Sequence, residues 1–128
     1  MTIDELRKML AAKSRRKPRR VESDIQRACV TWFRSTYPEL LLFAVPNGGS
    51  RNSLEAANLK REGAMAGVSD LIAVGNGKVL FVEMKSEKGR QTEYQKEFEK
   101  RVTALGHTYV VCRSLAEFAA QVSRWLKN

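Results

Sequence analysis

The sequence predicts an α/β domain in which helices cover the faces of one central mixed β-sheet. Two observations lead to this fold class. Short apolar runs rich in β-branched residues are typical of strands, and they alternate with longer segments whose apolar residues recur at helical spacing. Read in order, the elements are α–β–α–β–β–α–β–α. With 128 residues, 43% of them hydrophobic, the chain is long enough for one domain with one core.

The first half of the domain is predicted as helix, strand, helix. Ser23 and Gln26 have the spacing of a capping box, so the first core helix is expected to begin at Ser23 and to end near Tyr37. An apolar strand follows over 40–45. The next helix is expected to begin at Asn52 and to reach about Met65.

A β-hairpin is predicted next. Its strands cover 70–74 and 79–85, and Asn76-Gly77 between them suits a two-residue type I′ turn. The second half continues with a helix over 93–105 that is capped by Thr92, and then a strand over 108–112. The apolar residues after Ser114 recur at helical spacing, and this indicates a final amphipathic helix.

Three charged residues interrupt the apolar hairpin. Because side chains alternate along a strand, Glu83 and Lys85 share one face and Met84 points to the other. Asp70 is expected roughly opposite Lys85. Burying charge costs several kcal/mol per ion (on the order of 5) unless the charge is paired or bound to a metal. The hairpin therefore predicts a polar site at one end of the sheet.

The positive charge of the chain is concentrated at its N-terminus. The net charge is +9, and residues 1–20 contain eight Lys or Arg against two acids. Residues 2–12 are predicted as a short helix with a Thr2–Glu5 capping box, and 13–20 as a flexible basic arm because Pro18 disfavours a helix. We divide the chain into a basic arm over 1–20 and one folded domain over 21–128. The arm is expected to contact nucleic-acid phosphates; a solvated tail or a localisation signal is the alternative.

Several classes of protein are excluded or disfavoured. No apolar run approaches the roughly 20 residues of a membrane span, so no membrane association is expected and the location is expected to be cytoplasmic. Cys29 and Cys112 are expected to be buried free thiols. No phosphate-binding loop, dinucleotide fingerprint or zinc-protease motif is present, so no small-molecule cofactor is expected.

The charged residues of the hairpin suit phosphoryl chemistry. Asp70 and Glu83 supply the hard oxygen ligands that Mg²⁺ (or Mn²⁺) prefers, and the backbone carbonyl of Met84 is a natural further ligand. Glu22 could add a ligand through water if its helix packs beside the sheet end. Lys85 could orient the attacking water or stabilise charge that develops on the phosphorus oxygens. With the basic arm, this chemistry favours a nucleic-acid substrate.

These residues also carry a family resemblance. Asp70 followed by Glu83-Met84-Lys85 resembles the signature of PD-(D/E)xK nucleases, and the chain as a whole resembles a stand-alone VRR-NUC domain. The resemblance is drawn over 21–118, and the matching blocks within it are Glu22-x-x-Ile25-Gln26, Asn47-Gly48-Gly49, Gly67-Val68-Ser69-Asp70-Leu71, Glu83-Met84-Lys85 and Arg90-x-Thr92-x-x-Gln95. One departure is Ser69, where the family usually has Pro.

The resemblance implies a restriction-endonuclease-like core and a role for each matching residue. Asp70 and Glu83 would bind the metal, Lys85 would be the catalytic lysine, and Glu22 would be the helix-borne acidic ligand. Gln95 would be the active-site glutamine, although the Thr92–Gln95 capping box is a complete structural explanation for it. DNA contacts are expected from Arg15, Arg16, Lys17, Arg19, Arg20, Asn47, Gly48, Gly49, Arg51, Lys60, Arg61 and Arg90.

The resemblance further implies an endodeoxyribonuclease that cuts four-way (Holliday) DNA junctions as a homodimer, in DNA repair. Two alternatives remain open. One is a nuclease for other DNA structures, such as flaps or linear duplex. The other is a non-catalytic nucleic-acid-binding module built on the same fold.

Overall fold

The computed structural model describes residues 1–12, 18–46 and 52–128. In these ranges the chain forms five helices and one four-stranded sheet. The helices are α1 (Ile3–Ala12), α2 (Pro18–Thr36), α3 (Ser53–Arg61), α4 (Glu93–Ala104) and α5 (Leu115–Lys127), and the strands are β1 (Leu41–Ala44), β2 (Leu71–Val74), β3 (Val79–Met84) and β4 (Thr108–Cys112). The predicted α/β class and the order of elements from the first core helix onward are confirmed.

The sheet is mixed, with the strand order β1-β2-β3-β4. The pairs β1–β2 and β2–β3 are antiparallel, whereas β3 and β4 are parallel. A parallel pair needs a long crossover, and α4 supplies it here. β3 is therefore paired on both sides, and its last residues lie at one end of the sheet between β2 and β4.

Helices cover both faces of the sheet. On one face, Leu80, Val82 and Met84 of β3 join the main core with residues of α2 and α5, including Phe33 and Phe118. On the other face, Phe81 of β3 contacts Phe98 of α4, whose ring also contacts Tyr109 of β4. Glu83 shares the face of Phe81 because side chains alternate along a strand. Helix α4 therefore covers the face on which Glu83 lies.

The start of the first core helix was wrong in the sequence analysis. Helix α2 begins at Pro18 rather than at Ser23, so Ser23 is an interior residue and not an N-cap. A proline at the first helical position costs nothing, because the N–H that it lacks has no partner inside the helix at that position. The prediction treated Pro18 as a helix breaker, which holds only for helix interiors.

The predicted N-terminal arm is only partly described by the structure. The capping box of α1 is confirmed, since the backbone N–H of Glu5 donates to Thr2 Oγ1 and that of Thr2 donates to Glu5 Oε2. Helix α1 packs against α2 and α5, and Leu6 is buried in the core. Residues 13–17 lie outside the described residues. Division of the chain at residue 20 stays a prediction.

The hairpin turn differs in type from the prediction. Gly77 has a φ of +76°, whereas Asn76 does not have a positive φ, and a type I′ turn needs positive φ at both central residues. The two-residue loop itself is as predicted, because the Gly75 N–H donates to the Lys78 carbonyl. In this register Leu71 pairs with Val82, so Asp70 continues opposite Glu83 and not opposite Lys85.

In the described part of the chain, no helix is long and apolar enough to span a membrane. Both cysteines are free and buried, as predicted. Burial raises the pKa of the Cys29 thiol, and the nearby Cys112 raises it further. Burial likewise raises the pKa of Cys112, to about 12. Both thiols are therefore unreactive at neutral pH.

Candidate active site

The end of the sheet brings three acidic side chains into one neighbourhood: Glu22, Asp70 and Glu83, here called the carboxylate cluster. Asp70 precedes β2 and Glu83 lies in β3, so strand pairing places them side by side. Asp70 Oδ2 accepts a hydrogen bond from the Met84 N–H at 2.8 Å. This bond fixes the Asp70 carboxylate against the backbone of the neighbouring strand.

Glu22 reaches the same strand end from α2. Its Oε1 accepts a hydrogen bond from the Ser86 N–H at 2.9 Å, just beyond β3. Glu22 was expected near the site only if its helix packs beside the sheet end, and α2 does pack there. Because α2 begins at Pro18, Glu22 lies in its second turn and not just before the start of a helix from Ser23.

Glu83 is the buried member of the carboxylate cluster. It is 2% exposed, and its Oε2 is buried without a hydrogen-bond partner. Burial raises the pKa of Glu83 to about 9, and a hydrogen bond to Asp70 and the negative charges of Asp70 and Glu22 act in the same direction. Lys85 acts in the opposite direction, because its positive charge favours the ionised carboxylate.

The carboxylate cluster fits a divalent cation by its donor chemistry. Among the residues that the structure describes, no three Asp, Glu, His or Cys side chains are already in a metal-ligating arrangement. The buried, unpartnered Oε2 of Glu83 nevertheless lacks a positive partner, and adjacent carboxylates supply the hard oxygens that Mg²⁺ prefers. Glu22, Asp70, Glu83 and the Met84 carbonyl are the residues that would hold the ion.

This electrostatic arrangement predicts how stability changes with pH. The folded-state pKa of Glu83 lies above its ordinary value, so the folded protein binds more protons than the unfolded chain between pH 4.5 and about 9. Metal-free protein should therefore lose stability as pH rises through this window. Thermal melts in EDTA should show a decline from pH 7 to 9.5 that Glu83→Gln, which stays neutral, largely removes.

Divalent metal should reverse this trend. Because the metal binds the ionised carboxylate, the rise in melting temperature that Mg²⁺ causes should grow with pH in the wild type and be lost in Glu83→Gln. If the melting temperatures of the wild type and Glu83→Gln in EDTA fall equally as pH rises, Glu83 is not the acid that causes the loss of stability.

A surface groove of about 620 Å³ runs beside the carboxylate cluster. Helix α2 forms one wall and the sheet end forms the other, and the lining residues are Glu22, Ser23, Gln26, Arg27, Val30, Thr31, Asp70 and Met84. Sequence reasoning missed Arg27 as a groove residue. Helical spacing could have indicated it, because Arg27 follows Ser23 by one turn on the exposed side of α2.

Lys85 follows β3 directly and is partly buried. Its N–H donates to the Cys112 carbonyl at 3.0 Å, which continues the parallel pairing of β3 with β4. Met84 enters the main core, so Lys85 lies on the same face as Glu83, as predicted.

Gln95 lies at the first turn of α4 and takes part in its cap. Gln95 Oε1 accepts from the Thr92 N–H at 2.9 Å, while Thr92 Oγ1 accepts from the Gln95 N–H at 3.2 Å. The structural explanation of this residue is thus confirmed. A catalytic role for Gln95 stays a prediction.

The predicted DNA-contact residues fall into three groups. Arg20, Lys60, Arg61 and Arg90 are exposed. Arg19 lies within α2. The remaining residues lie outside the described residues: Arg15, Arg16, Lys17, Asn47, Gly48, Gly49 and Arg51. DNA contact by any of them stays a prediction.

Ser69, the departure from the family pattern, is fully buried. Its hydroxyl donates to the Leu71 carbonyl at 3.1 Å, so this bond spans Asp70, the residue between them. A proline at this position could not make that bond. The Ser69 hydroxyl therefore gives the backbone at the entry to β2 a hydrogen bond that links positions 69 and 71.

Comparison with known proteins supports the architecture. No family model matches the sequence, and no curated protein matches it. A solved structure described as a "VRR_NUC domain protein" is similar to this chain, with a TM-score of 0.66 and 23% sequence identity over 83% of this chain and 88% of that one. At this identity the likeness establishes the fold. The chain therefore has a VRR-NUC-like, restriction-endonuclease-like α/β fold.

Proposed function

We propose that this protein is a divalent-metal-dependent DNA endonuclease that hydrolyses phosphodiester bonds in branched DNA. The observation that carries the proposal is the meeting of Glu22, Asp70 and Glu83 at the sheet end, where a buried carboxylate oxygen has no partner and Lys85 follows. The nuclease-family fold supports the same reading.

Each residue has a chemical task in this proposal. Glu22, Asp70, Glu83 and the Met84 carbonyl would hold Mg²⁺ or Mn²⁺, and the bound ion would supply Lewis-acid polarisation of the scissile phosphate and of a water molecule. Lys85 orients the attacking water or stabilises the negative charge that develops on the phosphate oxygens. Arg27 in the groove and the exposed Arg90 supply positive charge for the DNA backbone.

A four-way junction cut by a homodimer is the substrate that we propose. A junction has two-fold symmetry and needs two cuts, whereas one chain supplies one set of Asp70, Glu83 and Lys85. A two-fold symmetric dimer would place two such sets against two symmetric strands. The resemblance to stand-alone VRR-NUC nucleases points to the same substrate.

A panel of DNA structures tests substrate and dimer together. End-labelled four-way junction, flap, fork and linear duplex of matched sequence are incubated with Mg²⁺, and we expect the junction to be cut fastest, with no cutting in EDTA. On a plasmid with an extruded cruciform, a dimer should give linear product from two coordinated cuts. Nicked circles alone would contradict the dimer, and a preference for flap or linear duplex would replace the junction as substrate.

A non-catalytic nucleic-acid-binding module is the second candidate. The observation that favours it is that Asp70 Oδ2 and Glu22 Oε1 already accept backbone N–H groups, so both acids have a structural use without any metal. Calorimetric titration with Mg²⁺ and Mn²⁺ separates the two candidates. Binding that Glu83→Gln abolishes supports the nuclease, and DNA binding without any metal binding supports the module.

A further inference from the structure

Arg113 holds the loop that follows Lys85. It comes directly after β4, and its Nη1 donates to the carbonyls of Ser86 and Gly89 at 2.6 Å each. The Glu87 carbonyl lies at 3.3 Å from the same nitrogen. One guanidinium nitrogen thus contacts three carbonyls of the turn over 86–89, in which the Gly89 N–H also donates to the Ser86 carbonyl at 3.1 Å.

This loop lies beside the side chain of Lys85. A Cβ placed on Gly89 would lie 3.4 Å from Lys85 Cδ and 3.1 Å from Ser86 Oγ, so the lysine stem runs next to the Gly89 backbone, about one side-chain atom away. Arg113 holds the carbonyl of this same glycine. The guanidinium therefore holds the glycine that lies next to the stem of Lys85.

The backbone of Arg113 is itself fixed. The backbone N–H of Arg113 donates to Glu117 Oε2 at 2.6 Å. The next residue, Ser114, caps α5, because its hydroxyl accepts from the Glu117 N–H. On the other side, the Cys112 carbonyl accepts from the Lys85 N–H. Arg113 is thus held between a strand and a helix, which is the rigid support that an exact side-chain position requires.

We propose that Arg113 is a positioning residue that sets the place of the Lys85 side chain through Gly89. The inference rests on the proposed nuclease function. Lys85 has a long, flexible stem that occupies many rotamers unless something confines it, and misplacement of a reacting group by about 1 Å can cost roughly 10²-fold in rate. Arg113 removes this freedom before DNA binds.

Direct phosphate binding is the competing role for Arg113. The residue lines a groove of about 560 Å³ together with Arg90 and Lys96. A phosphate contact would act on DNA affinity, whereas positioning of Lys85 acts on the rate of the bound complex. The two roles therefore separate in the kinetic parameters.

The test compares Arg113→Ala, Arg113→Lys and Arg124→Ala under single-turnover conditions with Mg²⁺. Arg124 is exposed on α5, and its replacement changes the net charge equally. We expect Arg113→Ala to lower the maximal cleavage rate by about 10-fold or more with DNA affinity changed less than about 3-fold. Arg113→Lys should recover part of the rate, and Arg124→Ala should behave as wild type.

A labelling experiment reads the same inference without any activity. The rate at which an amine-reactive reagent modifies Lys85 is measured by mass spectrometry, with Lys127 as internal reference. We expect Lys85 to react several-fold faster in Arg113→Ala because its stem is released. If Arg113→Ala does not fold, the cleavage rate and the labelling rate of Lys85 are measured on Gly89→Val instead, because its branched side chain would displace the Lys85 stem.

The outcomes distinguish this inference from the proposed function. Wild-type protein that cuts no DNA contradicts the proposed function, and the labelling rates then decide the inference alone. Unchanged labelling of Lys85, or a loss of affinity with an unchanged maximal rate, overturns the positioning role.

Discussion

Asp70→Asn should lower the rate of DNA cleavage by roughly 10³-fold while leaving the fold and DNA binding intact. The substitution removes the negative charge that would hold the metal. It keeps an oxygen that can accept the Met84 N–H, which Asp70 Oδ2 accepts at 2.8 Å in the wild type. The loss should therefore appear in the chemistry alone, measured as single-turnover cleavage beside DNA affinity.

Asp70→Ala serves as the matched contrast. It also removes the acceptor of the Met84 N–H, which should cost about 1–3 kcal/mol of unfolding free energy because a buried donor is left without a partner. Denaturant melts should thus distinguish Asp70→Ala from Asp70→Asn, although we expect both variants to be inactive. Lys85→Ala should likewise abolish DNA cleavage without weakening junction binding. If either Asp70→Asn or Lys85→Ala cuts as fast as the wild type, the substituted residue has no part in the mechanism.

Gly67→Ala should destabilise the protein by roughly 3 kcal/mol, or about 10 °C in melting temperature. Gly67 has a φ of +85°, a conformation that L side chains rarely adopt. A Cβ there would clash with the Tyr94 carbonyl oxygen and would lie 2.9 Å from the Gln95 nitrogen. Both atoms are backbone, so the first turn of α4 would have to move.

Gly106→Ala is the matched control for this clash. Its φ of +87° is nearly the same, but a Cβ there meets nothing within 4 Å. This variant should show only the backbone strain, about 1 kcal/mol. The difference in melting temperature between the two variants therefore measures the cost of the steric clash between residue 67 and the first turn of α4. Equal losses would show that no such approach exists.

The sheet end could be predicted from the sequence because strand periodicity is local. Alternation along 79–85 places Glu83 and Lys85 on one face, and the Asn76-Gly77 turn brings Asp70 to the same end. The predicted partner of Asp70, Lys85, is two residues away from the true one. The register of a hairpin is found by counting residue pairs outward from its two-residue loop. Counting in this way from the turn leads to Glu83, as the structure shows.

Contacts between distant elements were beyond the sequence. Nothing local to Glu22 indicates that it accepts the Ser86 N–H, because this bond depends on how α2 packs against the sheet. Arg113 was missed for the same reason: its three carbonyl partners lie more than twenty residues earlier in the chain. The error in the start of α2 had a different cause. A proline disfavours a helix when it lies in the interior, but it is well suited to the first helical position, which Pro18 occupies.

The metal dependence of cleavage tests the central claim most directly. Wild-type protein and Asp70→Asn are each incubated with a labelled four-way junction in EDTA, and then with excess Mg²⁺ or Mn²⁺ added. We expect no product in EDTA, rapid cutting by the wild type once the metal is restored, and no cutting by Asp70→Asn in either condition. Equal cutting in EDTA, or no cutting of any DNA structure with either metal, would contradict a metal-dependent nuclease built on Asp70, Glu83 and Lys85.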